Sequence, residues 1–160
     1  MAVLLLLALS LGQADSDAAA VYARGLAAAR DAYSQGGSAA SLAPVRQAAA
    51  MLDQIAGGQP GPAEIARLVL LAAAAAAQNE RPEMGAYLAQ AADMEALQRD
   101  AGQPGAPGLS ALEAAGDLWL RVYRYEDAVA AYERAAKYLG MTPTITANLA
   151  RARAASGLVP

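Results

Sequence analysis

Few of the side chains that usually do chemistry are present. The chain has 160 residues and contains neither His nor Cys. That removes the commonest general base and metal ligand. It also removes thiolate nucleophiles, disulfides and zinc–thiolate sites. Carboxylates, arginines and hydroxyls remain. Paired carboxylates can share acid–base work, and the adjacent pair is Glu126-Asp127. Both fall in the first turn of a predicted helix, where acidic groups interact favourably with the helix dipole, so a structural role accounts for them. There is no GxSxG, HExxH, P-loop or GxGxxG pattern. The chain therefore reads as a non-enzyme with no metal and no cofactor. Its arginines are the groups best suited to recognition, since a guanidinium can grip a carboxylate through two hydrogen bonds.

Composition narrows the partners. The net charge is −3 and eleven of the twelve basic residues are Arg. An acidic balance argues against nucleic acid, which requires basic patches to neutralise phosphates. More than a quarter of the chain is alanine, the best helix former, so the fold class is all-α.

The N-terminus reads as an address. Met1 to Leu11 is an apolar run too short for the roughly 20 residues of a membrane-spanning helix. Gly12-Gln13-Ala14 places small residues where a signal peptidase would cut after Ala14. Residues 1–14 are thus expected to be an export signal, which implies a bacterial periplasmic or secreted protein and no stable membrane span after cleavage. The alternative is an ordinary hydrophobic first helix tucked into the core.

Helical periods and breakers divide residues 15–160. Asp15 or Ser16 could cap a helix through about Ser34, with Tyr22, Leu26, Ala29 and Tyr33 on one face. Gly36-Gly37 ends it. A second helix carries Val45, Ala49, Leu52 and Ile55 and stops at Gly57-Gly58. Pro62 starts a third, with Ile65, Leu68, Val69 and Ala72 on its stripe. Ala72 to Ala77 follows, a segment that other helices can approach closely, or one that self-associates if exposed. Pro82 opens a fourth helix whose inner side is expected to be Met84, Tyr87, Leu88, Ala91 and Leu97. Ser110 and Glu113 form a capping-box pattern for a fifth. A sixth covers about Glu126 to Leu139 and a seventh about Thr144 to Ser156. The hairpins are about 17–56, 62–99 and 110–139, with 144–156 as a closing helix. Gly58-Gln59-Pro60-Gly61 recurs as Gly102-Gln103-Pro104-Gly105, and self-similarity at a fixed period marks a solenoid.

One stretch is more specific. In Leu112 to Pro143, Leu112 takes a first large position, Ala115-Gly116 follows, and Trp119, Ala128, Tyr132 and Ala135 recur at family-like spacing. Arg124-Tyr125-Glu126-Asp127-Ala128 forms the turn and second-helix start. This segment resembles a tetratricopeptide repeat, a helix–turn–helix unit of 34 residues. Gly140 stands where that family has proline, and Pro143 comes three residues late. Small residues at Gly116 and Ala128 let two antiparallel helices approach to about 8–10 Å, with Trp119 and Tyr132 filling the flanks. Gly85 aligns with the mid-repeat alanine in the preceding hairpin, though the aromatics are missing there. The resemblance implies a right-handed superhelical array of antiparallel helical hairpins, a tetratricopeptide-like α-solenoid of about seven helices.

In such an array the first helices of successive hairpins line a concave groove. The residues opposite the packing face of the fifth helix are Glu113, Asp117, Leu120 and Arg121. On the closing helix they include Thr144, Ala147, Asn148 and Arg151, and on the third helix Arg67, Leu70, Leu71 and Gln78. The expected partner-binding set is Glu113, Asp117, Leu120, Arg121, Asn148 and Arg151. Against it stands a bland account in which Asp117 and Arg121 form an exposed i,i+4 pair. The expected function is an exported scaffold or adaptor that binds a peptide or partner protein. The alternative is a self-associating structural or spacer protein of the cell envelope.

Overall fold

The structure, a computed structural model, describes residues 2–103 and 108–157, with side chains from Asp17 onward. Among the described residues there are seven helices and no strand: α1 (Ala2–Ser34), α2 (Ala39–Ala56), α3 (Pro62–Ala77), α4 (Arg81–Asp100), α5 (Ala111–Arg121), α6 (Tyr125–Leu139) and α7 (Pro143–Ser156). The side chains of the expected export signal, residues 1–14, lie outside the described residues. The α1 backbone continues through Asp15 and Ser16 without a break, so neither caps a helix in this chain.

Local chemistry explains most boundaries. The Ser38 side chain accepts from the Ser41 amide at the start of α2, and Thr142 does the same for Ile145 at the start of α7. Pro62 and Pro82 sit in first turns, where a missing N–H costs nothing. After α1, Gly37 has φ +65 and packs so tightly that a Cβ would overlap the Ala77 carbonyl. Only glycine meets both conditions cheaply.

The packing has a regular order. Each of α2, α4 and α6 contacts the odd-numbered helices on either side of it, and α1, α3, α5 and α7 contact one another in succession. Small residues permit this closeness. A Cβ on Gly25 of α1 would overlap the Leu70 side chain and come within 3.0 Å of Ala48 Cβ on α2. A Cβ on Gly116 would stand 2.5 Å from Tyr132 Cε1, and one on Gly85 would meet Trp119 at 3.2 Å. So the α5–α6 contact sets the Tyr132 ring directly over Gly116 rather than on its flank, and Gly85 receives the indole of the next hairpin. Pro60 and Gln103, from the two similar Gly/Pro linkers, line the same shallow depression beside Leu97.

The alanine run is interior. Ala72 to Ala76 are buried, in a core that also holds Val21, Leu42 and Leu118. Neighbouring helices approach them closely, and only Ala77 at the end of the run is partly exposed.

Two further expectations are corrected. Leu97 is 69% exposed, while Glu95 is 2% exposed. At about 100° per residue, Met84, Leu88 and Ala91 continue to position 95, and position 97 points away. The capping box is half formed. The Glu113 amide donates to Ser110 Oγ at 3.2 Å, but Glu95 supplies the carboxylate at this helix start. Its Oε2 accepts from the Leu112 amide at 3.0 Å and from Ser110 Oγ at 3.3 Å. Arg99 donates to Glu95 Oε1 through Nε at 3.0 Å and Nη2 at 2.7 Å.

Candidate functional site

A cleft of about 510 Å³ opens between α1, α3 and α5. Its apolar floor comes from Leu26, Ala29, Val69, Ala73, Leu109 and Leu118. Its polar groups are Tyr22 and Arg30 from α1, Arg99 from α4, and Ser110, Glu113, Asp117 and Arg121 around α5, with Thr142 beyond α6. Clefts of this size with an apolar lining and a few convergent polar groups are where proteins hold ligands.

Three of the six expected binding residues, Glu113, Asp117 and Arg121, line it. Asn148 joins them, its Nδ2 donating to Asp117 Oδ1 at 3.2 Å. Arg151 is exposed on α7 and does not line the cleft, though it is near enough to Tyr132 to favour its ionised form. Leu120 is misplaced by the sequence reading. It is 7% exposed and packs with Val129, Tyr132 and Leu149. The helical wheel gives the reason: position 120 lies about 40° from Gly116, on the flank facing α6 and α7. On α3, Val69 and Ala73 line the cleft. Leu70 is core, Arg67 pairs with Glu64 at 2.6 Å, and Gln78 meets Arg46 at 3.5 Å.

The Asp117–Arg121 pair of the bland alternative does not form. Asp117 Oδ1 instead accepts a short hydrogen bond from the buried Tyr132 hydroxyl. Arg121 lies over the Tyr33 ring at 5.5 Å, and the Tyr33 hydroxyl donates to the Arg121 carbonyl at 3.2 Å, tying the end of α5 to α1. The cleft's carboxylates are thus left without cations of their own, apart from Arg99, which is held by Glu95.

Electrostatics records this. Burial pushes the Glu113 carboxyl above its ordinary value of 4.5, and Asp117 and Glu95 add to the rise while Arg99 opposes it. The Tyr22 phenol is raised first by burial, then by Asp117 and Glu95, with Arg30 pulling the other way. The Tyr132 phenol is also raised, by burial and by its bond to Asp117.

Tyr22, Arg30, Glu95 and Arg99 were not among the residues expected at the site. Tyr22 was legible as part of the inner stripe of α1. Glu95 was signalled by its place on the α4 stripe. Nothing in the spacing pointed to Arg30 or Arg99. Among the described residues no group of His, Cys, Asp and Glu is arranged to hold a metal ion. Comparison with models of known families, with curated proteins and with solved structures gives no match.

Proposed function

We propose that this protein is a non-enzymatic interaction module. It is a tetratricopeptide-type, right-handed array of helical hairpins that holds an extended peptide segment of a partner protein in the cleft between α1, α3 and α5. On the export reading of residues 1–14 it does so outside the cytoplasm. The observation that carries the proposal is the composition of the cleft. It joins an apolar floor, to which α1, α3 and α5 all contribute, to charged groups of both signs from α1, α4 and α5. Such a surface offers apolar contact for affinity and charged contacts for register. The contacts that link α1, α3, α5 and α7 in succession, with each even helix touching the odd helices next to it, support this reading.

The test is capture of the partner by the full chain and by a variant combining Glu113→Ala, Arg121→Ala and Arg151→Ala. These side chains are half-buried or exposed, so the fold should survive. The proposal expects capture to fall at least about tenfold, a loss of about 1.4 kcal/mol. Capture equal to wild type contradicts it.

A further inference from the structure

The cleft's acidic end is built to receive something positive. Glu113 lines it, and its carboxylate forms no hydrogen bond or ion pair with the described residues. Asp117 uses Oδ1 for Tyr132 and Asn148, leaving Oδ2 without a partner among the same residues. A second observation is independent of the carboxylates. Tyr22 lines the cleft at 5% exposure, yet its hydroxyl hydrogen-bonds to none of the described residues. The Tyr22 oxygen is not sealed from solvent, so it keeps free hydrogen-bonding capacity. Here the group next to it is the open cleft.

Two of the cleft's basic groups, Arg30 and Arg121, stand at the other end, while Arg99 lies at the acidic end, close enough to oppose the rise in the Glu113 pKa. Arg121 follows Glu113 by eight residues on α5, and Arg30 follows Tyr22 by eight on α1, which is about 12 Å of helix in each case. Arg99 is bound to Glu95 by two hydrogen bonds. Arg30 reaches Tyr22 with only part of the field that the carboxylates set up there.

Resting on the groove reading above, we propose that the cleft seats a lysine or arginine side chain of the bound segment between Glu113 and Asp117, with the Tyr22 hydroxyl as a third acceptor. A cation there gains charge-assisted hydrogen bonds to the Glu113 carboxylate, which has none from the described residues, and to Oδ2 of Asp117, whose Oδ1 alone is engaged. The segment's own acidic residue belongs at the Arg30–Arg121 end. An extended chain covers about 12 Å in three to four residues, so the fitting segment carries its basic and acidic residues at about that spacing.

The experiment is a titration of the isotopically labelled full chain, followed by amide and side-chain NMR shifts. Three probes are used: the blocked peptide acetyl-Gly-Lys-Ala-Ala-Glu-Gly-amide, the same peptide with norleucine for lysine, and 1,4-diaminobutane. The lysine peptide should shift resonances of Tyr22, Glu113 and Asp117 and bind at least about fivefold to tenfold more tightly than the norleucine peptide. Glu113→Gln and, separately, Tyr22→Phe should each narrow that difference. Both variants keep the shape of the side chain, and unchanged shifts elsewhere report an intact fold. Equal affinity for the lysine and norleucine peptides overturns the cation seat while leaving a peptide groove. Diaminobutane binding as tightly as the lysine peptide replaces the segment by a free organic cation and overturns the proposal. No shift at the cleft with any probe overturns the cation seat and the groove reading together.

Discussion

Glu113 sits where burial and two neighbouring carboxylates oppose its ionisation. Its carboxyl in the fold therefore titrates above the ordinary 4.5. Between those two values the folded protein binds more protons than the unfolded chain, so stability falls as pH rises through the window. Glutamine at this position has no proton to lose. Glu113→Gln should therefore gain stability relative to wild type as pH is raised from about 4 to about 7, read as diverging urea midpoints. Midpoints that stay parallel would show that neither burial nor the neighbouring carboxylates raise the Glu113 carboxyl. At this scale the sequence was partly legible. Glu113, Asp117 and Arg121 lie opposite the Leu112–Ala115 packing face, and helical spacing alone found them. Leu120 was misread because a groove flank and a packing flank differ by a small rotation. Tyr22 and Arg30 reach the cleft through a contact between α1 and α5, and no local spacing encodes a pairing some ninety residues apart.

Glu95 shows how one helix sets the start of another. It projects from α4 and takes the Leu112 amide and the Ser110 hydroxyl at the first turn of α5, while Arg99 satisfies its other oxygen. The linker between these helices is rich in Gly and Pro, so this carboxylate is what locates α5 against α4. Replacing it with Leu leaves a buried amide unpaired and strands Arg99. Glu95→Leu should cost about 2–4 kcal/mol by urea unfolding, and Glu95→Gln, which keeps an acceptor, clearly less. Equal losses would mean that shape, not hydrogen bonding, decides the position. Element boundaries were the most legible part of the fold. Pro62, Pro82 and Ser110 all act through backbone chemistry that is local in sequence. The capping box at Ser110 forms only in its first half, and a tertiary carboxylate, Glu95, meets another donor of the same turn, the Leu112 amide.

Across the whole molecule, close approach does most of the organising. Alanine contributes little area, so the core depends on intimate contact: Gly25 under Leu70, Gly116 under Tyr132, and Ala72 to Ala76 buried in the interior. That arrangement places the first helices of three hairpins around one cleft and brings Asn148 of α7 to Asp117 of α5. The most direct measurement of the central claim is site-specific photo-crosslinking in the native extract. A photoreactive residue replaces Ala114, which lines the cleft, or, as the control, Leu97, which is 69% exposed on α4. The account predicts that position 114 crosslinks to one defined peptide segment of a partner and that position 97 does not. Equal crosslinking from both positions, or crosslinks from 114 only to other copies of this chain, would contradict it.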